Sequence, residues 1–268
     1  MPTVYIPHGG GPWPWIHVPF GTKQELGSLR TYLEDLGKIV PETPKAILVI
    51  SAHWEEARPT LMTNPHPPML YDYYGFPQES YSIQWPAPGA PELAARVREL
   101  LKINRMPAAD DAERGFDHGT FVPLKLAYPD PKIPVLQLSL VTGLDPSLHL
   151  SLGRALAPLR DEGVFIVASG MSYHNLRAFH ASAAPAAEAF DTWLREAVLA
   201  EPTERDRKLA EWTKAPSARA AHPREEHLMP LMVAAGAAGA DRAVLGFSGT
   251  VNQLKLSAYH FGSDPSLS

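Results

Sequence analysis

Short, uninterrupted apolar runs alternate along this chain with longer segments of helical periodicity. Val4–Ile6, Ala46–Ser51, Val135–Leu140 and Val164–Ala168 are continuous runs of the kind that strands buried on both faces require. Between them, Lys23–Ile39 places Leu26, Leu29, Leu33 and Leu36 on one face and predicts a helix. Further helices are predicted over Glu92–Leu101, behind Pro91 as a favoured first-turn residue, and over His149–Glu162, Ala183–Ala200 and Arg205–Thr213. Another is predicted from Pro223 to about Ala238, and a short one over Pro123–Ala127 after a Gly115–Thr120 loop. Ala243–Phe247 and Ser257–Phe261 complete the strands. The Gly-, Pro- and Trp-rich segment Gly9–Phe20 predicts a loop. Pro59–Gly89, rich in prolines and aromatics, predicts a long, partly extended excursion over the active-site face. Strands alternating with helices imply an α/β fold, with a central mainly parallel or mixed β-sheet flanked by helices. Its active site is expected at the C-terminal ends of the strands. No internal repeat and no polar linker divides the chain, so residues 1–268 are expected to form a single domain.

Composition narrows the chemistry. A hydrophobic content of 45% and a charged content of 20% are ordinary for a globular protein. A net charge of -5 gives no electrostatic footprint for nucleic acid. No apolar stretch is long enough to span a bilayer, so no membrane partner is expected. The first residues carry no signal-peptide pattern, which leaves a cytoplasmic location as the expectation. With no cysteine there is no disulfide framework and no thiolate nucleophile or metal ligand. The 28 prolines are scattered and predict rigid connections.

What remains is 11 histidines. His8 follows an apolar run and precedes Gly9-Gly10-Gly11, which leave room for a ligand. His53 follows the run Ala46–Ala52, and His174 lies just past Val164–Ala168 through a turn of small residues. His227 opens an apolar helix. Strand ends of this kind converge in open α/β sheets, so the pattern points to a metal site built from imidazoles. His118 sits beside Asp117 in a glycine-flanked loop. Asp117 either orients that histidine or caps a turn. Trp54 either walls the pocket or packs in the core. His222 either caps the helix expected after it or touches substrate. Of Glu226 and His227, only one is expected to face the pocket, since they point apart on a helix. Glu225 and Glu226 read as acidic residues of a first helical turn, favoured there by the helix dipole. His17, His66, His149, His180 and His260 read as surface or packing residues.

Five motifs occur in order: Pro7-His8-Gly9-Gly10-Gly11-Pro12, Ser51-Ala52-His53-Trp54, Gly115-Phe116-Asp117-His118-Gly119-Thr120, Ser169-Gly170 followed by His174-Asn175-Leu176, and His222-Pro223 followed by Glu226-His227. Tyr74-Gly75-Phe76-Pro77 and Trp85-Pro86-Ala87-Pro88-Gly89 lie between the second and third. Over nearly its whole length the chain resembles the class III extradiol ring-cleavage dioxygenases of the LigB type, in their DOPA dioxygenase branch. The resemblance implies a non-haem Fe(II) centre, with Zn(II) possible in the same site. It implies His8, His53 and His227 as metal ligands, His174 as the acid and base, and His118 as a second catalytic histidine of the substrate pocket. It also implies a catechol-type substrate and O2 as partners. The wider family uses two histidines and a glutamate; here His227 matches the third position better than Glu226 does. Trp13, Trp54, Tyr74 and Phe76 are expected as apolar walls. Arg177 and Arg224 are candidates for holding a substrate carboxylate. Two other readings stay open: a zinc hydrolase using the same histidines, and a non-catalytic metal-site binding protein.

Overall fold

The computed structural model describes residues 1–262. Its strands are β1 (Thr3–Pro7), β2 (Ala46–Glu56), β3 (Thr60–Met62), β4 (Ala109–Asp111), β5 (Val135–Val141), β6 (Val164–Gly170), β7 (Ala243–Val251) and β8 (Leu254–Phe261). They make one eight-stranded sheet in the order β4-β3-β5-β2-β6-β1-β8-β7. The central four, β5-β2-β6-β1, run parallel, while β3 joins β5, and β8 joins β1, in antiparallel fashion. The sheet is therefore mixed, with a parallel centre where the continuous apolar runs lie.

The helices are α1 (Lys23–Asp35), α2 (Pro91–Ile103), α3 (His118–Ala127), α4 (Pro146–Leu156), α5 (Pro158–Asp161), α6 (Ala184–Val198), α7 (Pro202–Ala210), α8 (Ala218–Ala221) and α9 (Met229–Ala238). Side chains on a strand alternate between faces, and here both faces are covered. Ile47, Val49, Phe165 and Val167 join the apolar residues of α1 and α3 in one core. Leu48, Ile50, Ile166 and Ala168 join those of α2, α4, α6 and α9 in the other. Burial on both sides explains why these strands are apolar at every position.

Several predicted boundaries shift for identifiable reasons. The first helix ends at Asp35 and tightens into a 3-10 turn over Leu36–Ile39. The helix expected over His149–Glu162 breaks at Pro158 into α4 and α5. The segment expected as a loop through Thr120 is already helical from His118, and Pro123 lies inside α3. Proline lacks an N–H to give to the residue four back; the carbonyl of Gly119 instead accepts the hydroxyl hydrogen of Ser169. The helix expected from Pro223 starts only at Met229, and Pro223–Leu228 form turns. The three-residue strands β3 and β4 were not expected from the pattern.

Two features of the sheet place the site. The parallel register puts Pro7 beside Gly170 and Ser51 beside Ser169, so the chain leaves β1, β2 and β6 at neighbouring points. In β2, the stretch from Ile50 to Glu55 faces only Leu138 to Leu140 of β5, so Ser51–Trp54 bulge. A bulge re-aims side chains, and His53 is in it.

Candidate active site

His8, His53 and His227 bring ligand-type atoms within 4.8 Å of one another. His8 is held from both sides. Its Nδ1 donates to the carbonyl of Gly9 at 2.8 Å, and Trp13 Nε1 donates to the carbonyl of His8 at 2.9 Å. His227 is held by its backbone: its carbonyl accepts Tyr5 Oη–H at 2.8 Å and Met171 N–H at 3.1 Å. Gly170 permits this, since a Cβ there would lie 2.1 Å from the His227 carbonyl oxygen. His227 Nδ1 donates to Glu226 Oε1 at 3.0 Å.

These acceptors set the tautomers. With Nδ1 protonated, His8 and His227 each present an Nε2 lone pair. His227 Nε2 is buried without a protein partner, and His8 Nε2 faces His53 Nε2 at 3.3 Å. Burial, then the neighbouring imidazoles, hold the pKa of His8 and His227 well below the usual value, and burial followed by His118 does the same to His53. Three neutral imidazoles with converging lone pairs, one of them orphaned, are the donor set that a divalent transition metal takes.

Two carboxylate–imidazole pairs flank this trio. Asp72 Oδ1 accepts from both the backbone N–H and Nδ1 of His118, at 2.9 and 2.8 Å, and Asp72 Oδ2 lies 3.5 Å from His53 Nδ1. Glu226 Oε1 lies 3.1 Å from His174 Nδ1, besides accepting from His227. The His174 and His227 rings stack with centroids 3.3 Å apart. Burial opposes ionisation of Asp72, but its hydrogen bonds with His118 outweigh it and lower its pKa. The same balance, struck with His174, lowers the pKa of Glu226. With Nδ1 engaged in each pair, Nε2 is the nitrogen that His118 and His174 have left for a substrate.

All five histidines line one cavity of about 620 Å³, together with Asp72, Glu226, Gly9–Gly11, Tyr74 and Phe76. The size suits a small aromatic molecule. Three expectations need correction. Glu226 and His227 both line the cavity, because they lie in the turns before α9 and not on a helix. For the same reason Glu226 is no first-turn residue; its carboxylate is spent on two imidazoles. Trp13 does not line the cavity: it packs in the core with its indole on the His8 carbonyl.

The open alternatives resolve. Asp117 is the N-cap of α3, accepting from Thr120 N, and also takes Ser51 Oγ–H at 2.8 Å and Arg114 at 2.9 Å; the carboxylate that orients His118 is Asp72. Burial first, then the charge of Asp72, raises the pKa of Asp117. Trp54 is buried beneath the Arg114 guanidinium. His222 ends α8 and bonds the carbonyl of Ser172 through Nε2, away from the cavity. His17, His66 and His180 are exposed, and His149 and His260 are buried outside the cavity. Arg177 does not line the cavity; Arg224 does, paired with Glu55 and Glu226. Asp72 was missed by sequence reasoning. Its one signal is a lone acid in the aromatic run Tyr71-Asp72-Tyr73-Tyr74.

No helix among the described residues is long and apolar enough to cross a membrane. Residues 4–263 match the family described as the catalytic LigB subunit of aromatic ring-opening dioxygenase. The chain is 46% identical to a 4,5-DOPA dioxygenase extradiol of Beta vulgaris over 88% of its own length and 87% of the relative's. It is 34% identical to a 4,5-DOPA dioxygenase extradiol of Escherichia coli (strain K12), over 88% and 85%. The crystal structure of the uncharacterized protein JW3007 from Escherichia coli K12 superposes with a TM-score of 0.78 at 30% identity, over 98% of this chain and 100% of that one. The chain belongs to the family of the catalytic LigB subunit of aromatic ring-opening dioxygenase and is an enzyme of that class.

Proposed function

We propose that residues 1–268 act as one catalytic domain, in the cytoplasm, that opens the ring of a catechol-type substrate beside its two hydroxyls and adds both atoms of O2. The carrying observation is the cavity in which His8, His53 and His227 converge between the Asp72–His118 and Glu226–His174 pairs. The trio holds the metal in this reading, with Fe(II) as the active form and Zn(II) as a fit to the same donors. Iron there supplies Lewis acidity toward the catechol oxygens and the redox chemistry that dioxygen needs, which zinc lacks.

The remaining steps belong to the protein. His174 accepts a substrate hydroxyl proton at Nε2 while Glu226 holds Nδ1 and steadies the imidazolium, the division of labour that general acid–base catalysis calls for. It returns the proton as the ring opens. His118, held by Asp72, binds the substrate oxygen through Nε2 and donates to it as charge develops. Both oxygen atoms end in the product, so no external reductant is consumed.

The test is oxygen uptake. Stripped protein is reloaded anaerobically with Fe(II) or Zn(II) and given a panel of catechols. Uptake with iron alone, equal to the substrate consumed and giving a yellow ring-opened product, is expected. No uptake at full iron occupancy would leave the zinc hydrolase or the non-catalytic binder.

A further inference from the structure

The lining of the cavity is not all polar. Beyond the histidines, its wall is built from Phe20, Leu26, Leu176, Phe179 and Val251. Phe20 and Phe179 meet edge to face with centroids 6.3 Å apart, and Leu26 and Val251 both close around Gly21. The mouth is apolar too. Leu176 is 72% exposed and Tyr74 is 93% exposed, and both line this cavity. Single exposed apolar residues are common; here two of the most exposed large ones stand on the rim of one pocket.

Charge points the same way. Among the described lining residues Arg224 is the one lysine or arginine, and its guanidinium is shared between Glu55 and Glu226. The other charged side chains of the lining, Asp72 and Glu226, are acidic. A substrate carboxylate reaching along the apolar wall would find no lysine or arginine there but Arg224, which two carboxylates already engage, to offset its loss of water.

We propose that the preferred substrates are catechols carrying an extended, uncharged apolar substituent, and that Leu176 and Phe179, with Phe20, Leu26 and Val251, set that preference. The proposal rests on the ring-opening reading, and its test separates the two. The Zn(II)-loaded protein, which cannot turn over, is titrated calorimetrically with 4-methyl-, 4-butyl- and 4-hexylcatechol, with protocatechuate and with DOPA. Affinity is expected to rise about fourfold per added methylene, and both carboxylates are expected to bind at least about tenfold more weakly than 4-hexylcatechol. Leu176→Lys, at an exposed position, should weaken 4-hexylcatechol and strengthen protocatechuate, each about tenfold. Affinity flat with chain length, or DOPA or protocatechuate binding as tightly as 4-hexylcatechol, would overturn the proposal. Oxygen uptake by the Fe(II)-loaded protein is followed on the same compounds. The expected ranking without uptake sinks the ring-opening reading and leaves the preference standing; uptake with a flat ranking does the reverse.

Discussion

A single carboxylate, Glu226, steadies both the imidazole assigned to the metal and the one assigned to the proton. Its Oε1 serves His227 Nδ1 at 3.0 Å and His174 Nδ1 at 3.1 Å. Groups behind the ligands of a metal site commonly change affinity or activity by about 10- to 100-fold. Glu226→Gln should therefore keep close to one metal per chain and lose turnover by about that factor. His227→Ala should lose the metal itself. Metal analysis and kcat of the two variants check this; metal lost from Glu226→Gln and kept by His227→Ala would make the glutamate the ligand. His8, His53 and His174 were legible because each follows an apolar run that a buried element must contain. The part played by Glu226 was not, because adjacent residues share a pocket or diverge according to backbone conformation, and here that is a turn. Asp72 reaches His118 across 46 positions of chain, a separation that local pattern does not encode.

At the scale of elements, α4 and α9 pack backbone against backbone. A Cβ on Gly153 would lie 2.1 Å from the Val233 carbonyl oxygen, and one on Gly236 would lie 2.1 Å from that of Leu150. Each helix puts a glycine where the other's backbone comes nearest. Gly153→Ala should cost about 1–3 kcal/mol, the range for overpacking a close-packed interior. Urea unfolding of the metal-free protein measures it, and an unchanged midpoint would mean that the helices slide apart freely. The central strands were legible as apolar runs. The start of α9 was not, because Met229–Ala238 is buried at all ten positions and has no polar stripe to mark its ends. The bulge in β2 was equally hidden: the apolar run ends at Ala52, while the strand continues to Glu56 past the bulged Ser51–Trp54.

Across the whole molecule, buried histidines tie stability to pH. His260 lies on β8 far from the metal trio in sequence, accepts Tyr32 Oη–H at Nε2, and has Nδ1 buried without a partner. Burial lowers its pKa to about 4. The unfolded chain, with an ordinary histidine near pH 6.5, then binds a proton that the folded chain refuses. Stability is full above about pH 6.5 and falls as pH drops toward 4, by about 2 kcal/mol at pH 5 from this residue. His260→Gln keeps an acceptor for Tyr32 and removes the titration. Urea unfolding of both metal-free proteins between pH 7 and 5 should show the variant losing about 2 kcal/mol less; parallel pH dependences would refute it.

The sequence by itself determined the architecture and pointed to the five histidines that line the cavity. Strands buried on two faces must be apolar throughout, and a polar ring at the end of such a run has few places to go. That reasoning points to His8 and His174, which lie just past the ends of β1 and β6, and to His53, which lies in the bulge of β2. Only the tertiary structure decided how those rings are held. Tautomers, partners and the direction of each Nε2 depend on Asp72, Glu226, the Gly9 carbonyl and Tyr5, which approach from other elements or from turns. Hydrogen bonds act over about 3 Å, and such proximity between residues distant in the chain exists only once the layers have packed.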